Sequence, residues 1–115
     1  MPDDLDRVFA ALANRNRRAM VYQLGLHPSS ISRLAKEQGL SLPAMTKHVR
    51  VLEAAGLVAR RKMGRTTFLT LDRAAIRDVQ AWLAQFHAYW GSEKETLENY
   101  ERFLTTDPTI AEENA

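Results

Sequence analysis

Within residues 29–56 the chain carries two helix starts and two glycine stops, and few folds accommodate that punctuation. Ser29 or Ser30 can accept hydrogen bonds from the free amides of a first helical turn, and Gly39 can take the left-handed conformation that ends a helix. Ser41 starts the next helix, with Pro43 in its first turn, where a missing N–H costs little. That helix runs to about Ala55, and Gly56 stops it. Two short helices joined by a glycine-containing turn of a few residues make a helix-turn-helix.

The flanks extend this unit. Residues 3–13 predict a short amphipathic helix, because Leu5, Val8, Phe9 and Leu12 fall at i, i+3, i+4 and i+7. Asn14 breaks it, and a second helix follows over about residues 15–25, with Ala19, Met20, Val21, Tyr22 and Leu24 as apolar bulk. His27-Pro28 closes that helix. After Gly56 the period changes. Residues 57–62 and 66–71 are β-compatible, and Met63-Gly64-Arg65 between them is a tight-turn signal. Asp72 then caps a long helix from about Arg73. The expected fold is mainly α: a winged helix-turn-helix with a two-stranded β-hairpin wing and a long C-terminal dimerisation helix.

The helix over 41–55 has two faces. Met45, Val49 and Leu52 face a core, while Pro43, Thr46, Lys47 and Arg50 lie on the other side. Short residues at the N-terminal end let backbone approach a major groove, Lys and Arg reach guanine acceptors or phosphates, and Thr can meet a thymine methyl. Ser41, with Ala44 beside it and the open amides of the first turn, can hold a phosphate. His48 lies between the two faces and reads as a packing residue or a DNA contact. The hairpin gathers Arg60, Arg61, Lys62 and Arg65 around Gly64, and cations so close favour an anion nearby. The wing over 60–66 is therefore expected on phosphates or in a minor groove, and strand alternation turns one of Arg60 and Arg61 inward. Arg15, Arg17 and Arg18 start the second helix, where they oppose its dipole. They can pair with Asp3, Asp4 or Asp6 or contact phosphate, and for Arg17 the salt bridge is the expectation.

Charge is divided along the chain. Residues 1–71 hold 12 Lys or Arg against 5 Asp or Glu, whereas residues 72–115 hold 4 against 9. A basic body suits a polyanion such as double-stranded DNA, and an acidic remainder suits another task. Ile76, Val79, Leu83, Phe86 and Trp90 recur at steps of three and four, a coiled-coil seam that Trp82 and Tyr89 widen. The phase continues through Leu97, Tyr100 and Leu104 after an interruption at Gly91-Ser92-Glu93. So wide a stripe exceeds what one face of a 115-residue monomer can bury, which points to a homodimer. The domain is expected to span residues 1–104, followed by an acidic, disordered tail over 105–115.

Cysteine is absent, which excludes disulfides, thiolate nucleophiles and cysteine metal sites. The N-terminus lacks the layout of a signal peptide, and no apolar run approaches a membrane span, so a cytoplasmic protein with no membrane association is expected. No catalytic constellation stands out among three scattered histidines, and there is no phosphate-binding glycine loop. The reading is of no enzyme and no cofactor.

The order of elements resembles the ArsR-type winged-helix repressors. Leu12-Ala13-Asn14-Arg15-Asn16-Arg17-Arg18 is similar to that family's "LADPTRR" entry to its second helix, departing at Asn14, Arg15 and Asn16. The stretch over 42–58 is similar to its recognition-helix signature, and Arg60-Arg61-Lys62-Met63-Gly64-Arg65 resembles its wing. The resemblance covers about residues 5–90. It implies a homodimer that pairs its first and last helices, through Leu5 and Phe9 and the 76–90 seam, and represses transcription on a palindromic operator. Founding members of the family sense metals through cysteine clusters or through Asp and His pairs on the last helix. Here only Asp78 and His87 stand on that helix, with the wrong spacing. The resemblance therefore implies the metal-free branch, answering to an unknown effector if to any. A winged-helix module that binds protein instead of DNA is the alternative.

Overall fold

The computed structural model describes residues 4–106 and 109. The elements run α1 (Asp4–Leu12), α2 (Arg15–Leu26), β1 (Ser29–Ser30), α3 (Ile31–Gln38), α4 (Leu42–Ala54), β2 (Val58–Met63), β3 (Thr66–Leu71), α5 (Arg73–Trp90) and α6 (Glu93–Thr106). They form two compact units, divided between Val79 and Gln80. Among the described residues no helix is long and apolar enough to cross a membrane.

In the first unit each helix boundary has a local cause. Asn14 Oδ1 accepts from Arg17 N at 3.1 Å, so the residue that ends α1 also caps α2. Ser30 and Ser41 cap α3 and α4 in the same way. Gly39 and Gly56 end those helices at φ 66° and 73°, conformations that a side chain would strain. At each, the next residue's amide reaches back to the helix: Leu40 N to Ala35 O at 2.9 Å and Leu57 N to Leu52 O at 3.0 Å. Leu57, expected as the first strand residue, is instead this helix stop, and it anchors the turn by burying its side chain completely.

α4 buries Met45, Val49 and Leu52 entirely, against Met20 and Leu24 of α2, Leu34 of α3, and Leu57 and Leu69. Only Met20 and Leu24 of the apolar run in α2 are buried; Tyr22 is 74% exposed. Leu52→Ala should cost about 2–5 kcal/mol, the price of a cavity in a filled core. Urea unfolding would read it, with Val51→Ala, on the half-open flank, changing little.

The sheet has three strands rather than two, in the order β1-β3-β2. β2 and β3 pair from Val58↔Leu71 to Met63↔Thr66, leaving Gly64-Arg65 as a two-residue loop. β1 adds Ser29↔Leu69 and Ser30↔Phe68 to the other edge of β3. Two serines carry no alternation that could have announced a strand. The amide of Asp72 bonds Leu57 O at 2.8 Å, and Asp72 Oδ1 then accepts from Ala74 N and caps α5.

In the second unit, Trp82 meets Phe86 edge-on at 4.4 Å, and Phe86 stacks on Trp90 at 4.5 Å. α5 ends at Gly91, so the interrupted phase belongs to two helices and not one. Ser92 Oγ accepts from Glu95 N and caps α6. Thr105 and Thr106, expected to open the tail, are helical, their hydroxyls bonding back to Glu101 O and Arg102 O. Most of the remaining expected tail lies outside the described residues.

Candidate nucleic-acid interface

Everything that α4 does not bury faces solvent or its flanks. Pro43, Lys47 and Arg50 are exposed, and Ala44, Thr46 and His48 are half-buried. Thr46 Oγ1 donates to Leu42 O at 2.8 Å, which holds its side chain against the first turn. Ser41 is exposed, but its Oγ accepts from Ala44 N. Pro43 has no N–H, and Met45 N bonds Ser41 O, so the first-turn amide left for a phosphate is that of Leu42. The phosphate seat at this end is smaller than the sequence implied.

On the wing, every residue of β2 after Val58 is exposed. Cross-strand partners share a face, so Arg60, opposite the buried Leu69, lies on the core side of the ribbon. It is the inward arginine that alternation demanded, yet it is not buried. Its Nε and guanidinium tip both donate to Glu53 Oε1 at 3.0 Å, tying β2 to α4. Arg60 is thereby neutralised. Lys47, Arg50, Arg61, Lys62 and Arg65 have no ion-pair or hydrogen-bond partner among the described residues.

Arg17 departs most from expectation. It pairs with neither Asp4 nor Asp6, and Asp3 lies outside the described residues. Nε donates to Ala11 O, and the guanidinium tip to Ala10 O at 3.4 Å and to His48 Nδ1 at 3.2 Å. Arg18 donates to Leu12 O at 2.9 Å. Two of the three cations that oppose the dipole of α2 thus complete the last carbonyls of α1, where a helix dipole favours positive charge. Nothing local in the sequence joins Arg17 to His48, 31 positions away.

His48 is consequently held as the neutral imidazole, Nδ1 accepting and Nε2 carrying the proton. Desolvation by burial, and then the Arg17 charge, lower its pKa below the ordinary 6.5. The unfolded chain protonates this residue more readily than the folded one does, so its contribution to stability is present above 6.5 and is lost as pH falls from there through the lower folded-state pKa. Above that value it has no pH dependence. His48→Gln should flatten the fall of the urea midpoint as the pH is lowered below 6.5. Equal slopes in the two proteins would mean that the imidazole is not kept neutral.

The seven residues expected at a dimer seam divide between the units. Ile76 and Val79 pack in part against the first unit's own core, which contains Val8 and Ala75. Leu5 is half-buried and Phe9 is 38% exposed. In the second unit Leu83 and Trp90 are more than half exposed, and Phe86 is half-buried between its ring neighbours. Tyr89, Leu97, Tyr100, Phe103 and Leu104 are exposed as well. Asp78 and His87 are both exposed, and no three histidine, aspartate or glutamate side chains among the described residues gather as a metal site.

A helix-turn-helix domain model matches residues 12–61, the span from the end of α1 through α4 to β2. Over 81 residues the chain is 35% identical to the HTH-type transcriptional regulator Rv2034 of Mycobacterium tuberculosis, covering 70% of this chain and 76% of that protein. The crystal structure of the ArsR family transcriptional regulator RHA00566 superposes with a TM-score of 0.72 at 34% identity, over 79% of this chain and all of that one. An ArsR-like transcriptional regulator from Rhodococcus sp. RHA1 superposes with a TM-score of 0.71 at 28% identity, over 91% and 94% of the two chains. These relatives are regulators of transcription and not enzymes. The chain belongs to the ArsR-type winged helix-turn-helix transcriptional regulators.

Proposed function

We propose that this DNA-binding regulator is a cytoplasmic repressor that occupies a palindromic operator as a homodimer, with residues 1–104 acting as one functional domain. α4 enters the major groove with Pro43, Ala44, Thr46, Lys47 and Arg50 toward the bases, and His48 Nε2–H at the edge of the contact. Ser41 sits at the phosphate backbone. Arg61, Lys62 and Arg65 on the wing contact phosphates or the minor groove. The observation that carries this reading is the set of five exposed cations on α4 and the wing with no acidic partner among the described residues, beside a sixth, Arg60, that Glu53 takes. A surface evolved only for solubility intersperses both signs; here the single acid on α4 and the wing is Glu53, and Arg60 occupies it.

The homodimer is supported by apolar side chains that each unit leaves wholly or partly open, Leu5, Phe9, Ile76 and Val79 in the first and Leu83, Phe86 and Trp90 in the second, which a twofold partner would cover. A twofold pair would set two reading helices roughly 34 Å apart, one turn of duplex. Repression follows from steric occupation.

Fluorescence anisotropy on duplex from the protein's own upstream region, against random duplex at two salt concentrations, tests the reading. Tight binding that survives random competitor and weakens steeply with salt is expected, since each neutralised phosphate releases about 0.9 counterion. Arg65→Ala should weaken specific and random DNA alike and reduce the salt slope by about one. A loss confined to the specific site would make Arg65 a base reader. Absence of any binding at low salt would favour the protein-binding module instead.

A further inference from the structure

Between α1 and the last turn of α4 runs an open groove of about 490 Å³, lined by Arg7, Ala10, Ala11, Val51, Ala54 and Ala55 and by Arg17 of α2. That volume lies within the range of small-molecule sites, about 300–1,000 Å³. Its walls are methyl groups, because four alanines and a valine meet where larger side chains would have filled the space. Its polar lining is two guanidiniums. Arg7 is exposed and has no ion-pair or hydrogen-bond partner among the described residues. Arg17 uses three of its five N–H groups on Ala10 O, Ala11 O and His48 Nδ1. An apolar channel with cations and no acid selects a ligand with one anionic head and an apolar body.

The geometry points to this groove as an effector site for an aliphatic monocarboxylate, its tail along Ala10, Val51 and Ala55 and its head on Arg7 with a remaining N–H of Arg17. Two placements give the site consequences. At 100° per residue, Arg7 and Ala10 lie on the flank of α1 opposite Leu5 and Phe9, so a dimer built on the latter pair leaves the groove open. Ala54 shares the face of α4 that carries Lys47 and Arg50, at i, i+3 and i+7. A carboxylate seated beside it adds negative charge at the end of the cationic stripe and repels DNA phosphate. This consequence rests on the reading of α4 as the DNA-contacting helix; the binding of the ligand does not.

Sodium octanoate is the probe, titrated calorimetrically into the full chain. Saturable binding of about one molecule per chain is expected, weakened at least about tenfold in Arg7→Gln, which loses the charge-assisted pair. Ala10→Met, which fills the groove from an exposed helix position, should abolish it, and 1-octanol should not bind. No saturable binding, or equal binding to both variants, overturns the site, the latter because octanoate would then be sitting on other apolar surface. In the anisotropy assay octanoate should weaken operator binding at least about fivefold, within the usual range of coupling between sites. Both variants should keep operator affinity without octanoate and lose the response to it. Octanoate that binds the groove and leaves operator affinity unchanged overturns the effector role. A protein that binds octanoate and no DNA at any salt would refute the repressor reading while leaving the site standing.

Discussion

Lys47→Ala together with Arg50→Ala should lower affinity for the specific operator by at least about 30-fold, while thermal stability and oligomeric state stay as they are. The magnitude follows from two base-edge contacts at about 1–3 kcal/mol each. The selectivity of the effect follows from position. Both side chains are exposed and neither has an ion-pair partner among the described residues, whereas Met45, Val49 and Leu52 on the opposite face are sealed. Removing the cations therefore breaks nothing in the fold. Anisotropy on specific and random duplex separates two cases. A loss on the specific site alone makes them base readers, and an equal loss on both makes them phosphate contacts. Unchanged affinity on both would move the DNA surface off α4 altogether.

The second large effect is expected on α5. Leu83→Glu with Phe86→Glu should convert the dimer to monomer, weakening association at least about a thousandfold. Each dimer would bury four carboxylates without partners, at several kcal/mol per ion. Sedimentation velocity reads the mass, and circular dichroism checks that the helices persist. Phe86 also lies between Trp82 and Trp90, so its loss disturbs a ring stack within the second unit. Leu83→Glu alone avoids this, because Leu83 is 52% exposed and stacks on none of those rings. A stable dimer surviving the single and the double change would place the interface on another surface, with Leu5 and Phe9 the next to be tested. Operator affinity should fall with the dimer, since a monomer reads one half-site.

Much of the architecture was legible because its causes are local. A cap, a glycine stop and an i, i+3, i+4 pattern act within a turn or two of chain. Ser30, Ser41, Gly39 and Gly56 therefore announced α3 and α4, Met45, Val49 and Leu52 announced the buried face, and Gly64 announced the hairpin. By exclusion the same pattern exposed Pro43, Lys47 and Arg50. The break at Asn14 was legible too, but a boundary failed at Leu57, whose apolar side chain suits a strand while its amide completes the stop of α4.

What the sequence by itself determined is thus the helix-turn-helix, the wing, the exposed face of α4 and the family. Tertiary structure alone decided which polar groups meet. β1 is a strand only because β3 lies beside it, for two serines have no pattern of their own. Arg60 is an ion-pair partner of Glu53 and not a free cation. Arg17 serves the carbonyls of α1 and His48 instead of an aspartate. The groove exists because α1 and α4 bring their alanines together. The physical reason is range: hydrophobic periodicity and capping are written in neighbouring residues, but a hydrogen bond or a hollow between helices depends on which segments the core has already placed side by side.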